Sequence, residues 1–130
     1  MTYDEKIRYL QRIVTLDAHI DALIKEKEKW YNRVLKLKSN EIGEADVDSS
    51  AAIEKVIMLE NEIEQNIDRL VDMRNRFVSA VEKLDNELCR EIMHLRYIND
   101  MSFEKIGDKI GYSSKQISRL HKKAVGEIVL

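Results

Sequence analysis

Between Ile13 and Leu37 apolar residues recur at alternating intervals of three and four: Ile13, Leu16, Ile20, Leu23, Trp30, Val34 and Leu37, with Lys27 as the polar member of the series. Such spacing draws one stripe along a helix and forms the seam of a coiled coil. Ile7, Leu10 and Ile24 widen the stripe. Thr2 followed three residues later by Glu5 is a capping box, so the pattern predicts a helix from Thr2 to about Lys38, roughly 50 Å long. The alternation returns at Ile53, Val56, Glu60, Ile63, Ile67, Leu70, Arg74, Phe77, Val81 and Leu84, with Glu60 and Arg74 as polar exceptions. The intervening "SNEIGEADVDSS" has Gly43, four acids and no strong period; it reads as a loop, with Asp48, Ser49 and Ser50 as N-cap candidates for the second helix. Two long amphipathic helices joined by about ten residues fold back as an antiparallel hairpin. Val14, Leu59 and Val71 fall off the seams and call for a further surface, either another chain or the C-terminal helices.

After Leu84 the periodic segments shorten. Asp85 or Asn86 caps a third helix, "NELCREIMHLRYI", whose inner face is Leu88, Ile92, Leu95 and Ile98. Ser102 opens a fourth, "FEKIGDKI", which Gly111 closes; Ser113 with Gln116 is a second capping box and opens a fifth, running to about Gly126. The last two helices and their turn meet the requirements of a helix-turn-helix at fixed offsets. Counted from Phe103, Ile106 and Ile110 face the core, Gly107 allows close approach, and Gly111 takes the positive φ of the turn. Tyr112, Ile117 and Leu120 pin the last helix onto the one before it.

That register turns Ile117, Leu120 and Ala124 inward and leaves Ser114, Lys115, Ser118, Arg119, Lys122 and Lys123 outward. Ser114, Lys115, Ser118 and Arg119 lie near the start of the helix, where a recognition helix meets base edges or phosphates in a major groove. The planar fork of Arg119 suits O6 and N7 of a guanine, and Lys122, Lys123 and His121 are assigned to phosphates. The charge distribution adds weight. Residues 1–85 sum to −4 and residues 86–130 to +2, and Lys115 to Lys123 holds four cations and no acid. A basic stripe on an otherwise acidic chain is an electrostatic footprint for a polyanion.

Composition narrows the remaining classes. The chain of 130 residues has no proline and four glycines, which favours an all-α fold. A lone cysteine, Cys89, rules out an internal disulfide framework and points to a reducing, cytoplasmic setting. No apolar run approaches a membrane span and the N-terminus lacks a signal-peptide core. His19, His94 and His121 have no metal-ligand spacing with one another or with Cys89, so no metal site is expected, and no cofactor motif is present. The sequence has no nucleophile triad, P-loop or carboxylate pair that would argue for an enzyme.

The stretch from about residue 85 to 126, with its helix ending "LRY", its "MSFEKIGDKIG" helix and its "SRLHKKA" recognition helix, resembles region 4 of sigma-70-type transcription factors. The resemblance covers about a third of the chain, and no segment resembles the promoter-melting region of a sigma factor. The arrangement is also similar to small late-gene regulators of phages and prophages, of the RinA and ArpU types, which place such a module after a helical part. The resemblance implies control of phage transcription.

The expectation is therefore an all-α protein, a helical hairpin over 1–84 followed by a helix-turn-helix module over 85–130. It would bind double-stranded DNA, sequence-specifically, as a homodimer. RNA polymerase is a further candidate partner. A small-terminase-like packaging protein is the alternative, as is a module that uses its basic helix to contact protein.

Overall fold

The computed structural model describes residues 1–39 and 45–130, and all of its regular structure there is helical. Five helices follow in order: α1, Tyr3–Ser39; α2, Ala45–Glu82; α3, Glu87–Tyr97; α4, Phe103–Ile110; and α5, Ser114–Glu127. The Glu5 amide donates to Thr2 Oγ1 at 3.2 Å, so α1 starts where its sequence predicts.

The second helix starts earlier than expected. Asp48, Ser49 and Ser50 lie inside α2 and are not its caps. Nothing in Ala45–Ala52 breaks a helix, and its alanines favour one, so the helix already includes Ala45. The rest of the expected loop, residues 40–44, lies outside the described residues.

The chain divides into two compact units, Leu16–Arg69 and Met1–Thr15 with Leu70–Leu130. In the first, α1 and α2 run antiparallel. Ile20, Leu23 and Val34 of α1 are buried, as are Ala52, Val56, Leu59 and Ile63 of α2. Trp30 and Leu37 pack on the Val34–Ala52–Val56 cluster. Lys27 of the α1 seam and Glu60, beside the buried Leu59, form an ion pair at 3.6 Å.

Half of the α2 seam is displaced by one residue from its expected course. Val56, Ile63, Leu70, Phe77, Val81 and Leu84 are buried as expected, but Ala52 and Leu59 are buried in place of Ile53 and Glu60, Ala80 is buried beside Val81, and Ile53 and Ile67 are 37 and 40 % exposed. Both series have the same three–four spacing. Small alanines at the contact let the helix axes approach, and packing prefers that face over the one with larger side chains.

In the second unit the ends of α1 and α2 pack with α3, α4 and α5. Leu10, Ile13, Phe77, Val81 and Leu84 are fully or almost fully buried there. Helix α3 is covered on two sides. Ile92 and Leu95 join Ile106 of α4 and Ile117 of α5 in one cluster, with Leu88, Met101, Phe103, Ile110 and Leu120 around it. On its other side His94 and Tyr97 meet the Phe77 ring edge-on, each at a centroid distance of 5.9 Å. Lys6 Nζ donates to the Gly126 carbonyl at 3.2 Å, tying the start of α1 to the end of α5.

Candidate nucleic-acid interface

Three side-chain caps position the helices of the corner. Asn86 Oδ1 accepts from the Cys89 amide at 3.1 Å and opens α3. Ser102 Oγ accepts from the Lys105 amide and opens α4. Ser113 and Gln116 form the reciprocal capping box expected of α5: the Gln116 amide donates to Ser113 Oγ at 3.2 Å, and the Ser113 amide donates to Gln116 Oε1 at 2.9 Å. Between α3 and α4 the connection is held by Arg96, whose guanidinium stacks on Phe103 at 4.6 Å and donates to the Met101 carbonyl at 3.0 Å.

The turn between α4 and α5 depends on two glycines. Gly111 sits at φ 81°, ψ 35°, a left-handed C-cap that a side chain would strain. The Gly107 carbonyl accepts from the amides of both Gly111 and Tyr112, at 2.8 and 2.9 Å. The backbone carbonyl of Tyr112 thereby lies where a Cβ on residue 107 would stand. The close approach at Gly107 is thus to the turn backbone more than to the second helix as a whole.

With the corner fixed, α5 shows two faces. Ile117, His121, Ala124 and Val125 are buried and Leu120 is partly so. Ser114, Lys115, Ser118, Arg119, Lys122 and Lys123 are all exposed. Its first turn holds no acid. The four cations therefore share the outer side of one helix, and the positive end of its dipole lies beside Ser114 and Lys115.

Two sequence expectations fail at this site. His121 is 7 % exposed and turned into the core, away from any phosphate. Its Nε2 lies 2.6 Å from the Tyr97 hydroxyl, and its ring packs on Phe103 at 5.0 Å. Burial, with the Arg96 charge as a lesser cause, lowers its pKa to about 4, so the ring is neutral at physiological pH. Burial likewise pushes the Tyr97 hydroxyl up to about 12. His121 follows Ile117 by four residues and precedes Ala124 by three, so the helical period itself turns it inward; its polar identity masked that signal.

Tyr112 is the second. It is 41 % exposed and lies outside the core cluster it was expected to join. With Gln116, Arg119 and Leu120 it lines a shallow surface recess of about 200 Å³. Tyr112 and Gln116 thus lie beside Arg119, a placement that the core and cap assignments did not anticipate. Cys89 is fully buried, its Sγ 3.6 Å from the Leu120 carbonyl, and burial raises its thiol pKa. Among the described residues no cluster of His, Cys, Asp and Glu could hold a metal ion, and no helix is long and apolar enough to cross a membrane.

No curated protein and no solved structure matches this chain. The family model for sigma-70, region 4, matches residues 86–128, which span α3, α4 and α5 together with the N-cap of α3. That family is one of DNA-binding regulatory domains, not of enzymes. Its match agrees with the capped helices, the two glycines and the one-sided basic face, and together they support DNA binding in transcription regulation. The C-terminal third of the chain carries a sigma-70 region 4 domain, a helix-turn-helix DNA-binding module.

Proposed function

We propose that this protein is a sequence-specific DNA-binding regulator of transcription that acts on phage or prophage genes in the bacterial cytoplasm. The observation that carries the reading is the division of α5, with four cations and two serines outward and none of them drawn into the core. In this reading α5 enters the major groove. Ser114, Lys115, Ser118 and Arg119 meet bases or nearby phosphates, and Lys122 and Lys123 meet phosphates further along. Two copies joined through their helical hairpins present two such helices to adjacent half-sites, which raises avidity through effective concentration. The resemblance to RinA- and ArpU-type regulators supports the phage assignment. RNA polymerase, which a sigma-70 region 4 domain can contact, is the natural second partner.

The test is selection of bound fragments from random genomic DNA, followed by titration of the recovered sites over a salt series. Recovery of a shared motif with two half-sites supports the reading. Binding without sequence preference, by a ring of many copies, would favour the DNA-packaging alternative. Failure to bind any DNA would leave the basic helix as a protein-contacting surface.

A further inference from the structure

The unit Leu16–Arg69 leaves a second apolar stripe uncovered. Ile24, Tyr31 and Leu35 on α1 and Ile53, Ile57 and Ile67 on α2 are between 37 and 52 % exposed. Their spacings are heptad spacings, and each residue lies beside the seam on one flank of its helix. The ion pair between Glu26 and Lys55, at 3.8 Å, joins the opposite flanks. Because those flanks coincide, the apolar flanks of the two helices coincide on the other side of the hairpin. There the six side chains form one face, interrupted midway by the Lys27–Glu60 pair and by Glu28 and Glu64, which fall on the same two stripes. Lys27 lies between Ile24 and Tyr31 in sequence, and Glu60 between Ile57 and Ile67. The Glu26–Lys55 side differs in character: it carries Lys29, Arg33, Glu62 and Arg69, with Met58 as its exposed apolar residue.

We propose that this face is the surface through which two copies of the chain associate, the hairpins pairing face to face as a four-helix bundle. The inference rests on the two-copy reading above and names the surface that reading uses. Two arguments select a second copy over other occupants. The first is area. Six side chains exposed to this extent amount to roughly 500 Å² of apolar surface, while a stable association buries about 800 Å² per partner, a little over half of it apolar. The second is self-complementarity. A two-fold axis brings each copy's patch onto the same patch of its neighbour. With that axis parallel to the helices, α1 of each copy lies over α2 of the other, and Lys27 of each chain faces Glu60 of its neighbour. Glu28 and Glu64 lie within the face, on the stripes of Leu35 and Ile57, which disfavours an anionic membrane as its occupant.

Sedimentation equilibrium of the full chain over a micromolar dilution series tests the proposal. The wild type sediments as a dimer. Ile57→Glu and Tyr31→Glu, made separately, each weaken association by about a hundredfold or more, as expected when a buried anchor becomes a charge. Both positions are half-exposed in the single chain, so helicity stays near wild type and melting falls only by what the lost association contributed. Met58→Glu on the opposite side leaves the dimer intact. Lys27→Glu weakens association, and adding Glu60→Lys restores it. A monomeric wild type, a higher ring, or a dimer indifferent to both Ile57→Glu and Tyr31→Glu overturns the proposal. DNA binding measured on the same samples keeps the two readings apart. A dimer that binds no DNA removes the regulator and leaves this surface standing. A monomer that binds single half-sites does the reverse.

Discussion

The hydroxyl of Tyr97, in the last turn of α3, lies 2.6 Å from Nε2 of His121, in the middle of α5. The contact ties the rotation of α5 to α3, and it is flanked by Phe77, whose ring meets Tyr97, and by Phe103, whose ring meets His121. The contact satisfies two buried polar groups at once, and truncating either would leave the other unpaired.

Burial of His121, with the Arg96 charge beside it, makes stability depend on pH. His121 has a folded pKa of about 4 against 6.5 for the free side chain. The unfolded chain therefore binds more protons than the folded one between those values, so stability falls as pH drops from about 6.5 towards 4 and is unaffected by this group above about 7. The loss amounts to about 2 kcal/mol, after a discount for partial solvation. Urea denaturation at pH 7.5 and pH 5 measures it. His121→Leu should flatten that part of the profile, and an unchanged slope would remove His121 as its source.

Gly107 tests the corner. A methyl group there meets the Tyr112 carbonyl, which is held in place by the tight turn and cannot swing aside like a flexible side chain. Gly107→Ala should cost roughly 1–3 kcal/mol, and Gly107→Val more. Thermal melting reads the loss; wild-type melting for both variants would mean that the turn does not sit over this glycine.

Lys122 and Lys123 test the phosphate assignment. Either one changed to Ala should weaken specific and non-specific binding alike and lower the log–log salt slope by about 0.9 per contact. A salt series by fluorescence anisotropy supplies the number, and slopes equal to wild type for both variants would take the two lysines off the DNA.

Arg119 should behave differently. Arg119→Ala is expected to cost about 1–3 kcal/mol on the preferred site and to relax preference at one base pair, with little effect on non-specific affinity. Comparing the wild type and variant on a panel of single-base substitutions separates base reading from phosphate holding. A uniform loss over the whole panel would reassign Arg119 to the backbone.

Much of this architecture was legible because it is local. Capping boxes at Thr2 and Ser113, the helix-ending Gly111 and the spacing of Ile106 and Ile117 are short-range signals, and each predicts its element from within a few residues. The α2 seam was harder. Ala52 and Ile53 head two series with identical spacing, and only the packed partner decides which is buried. His121 and Tyr112 were misplaced for a related reason. Residue type suggested a charged or polar role for one and a core role for the other, while three-dimensional surroundings, Tyr97 for His121 and a shallow surface recess for Tyr112, decided against type. The outward cations needed no such partner, since charge and helical period already agreed.

Cys89 gives the molecule a built-in reporter. Its thiol is sealed beneath α5 and its reactive thiolate form is suppressed by burial. A thiol reagent can therefore modify it only when α3 and α5 part. The rate of labelling in native buffer counts those openings directly. A bound operator that holds the corner shut should slow the labelling by the factor by which binding stabilises the closed state, so a single native cysteine can report occupancy of the recognition helix without any attached dye.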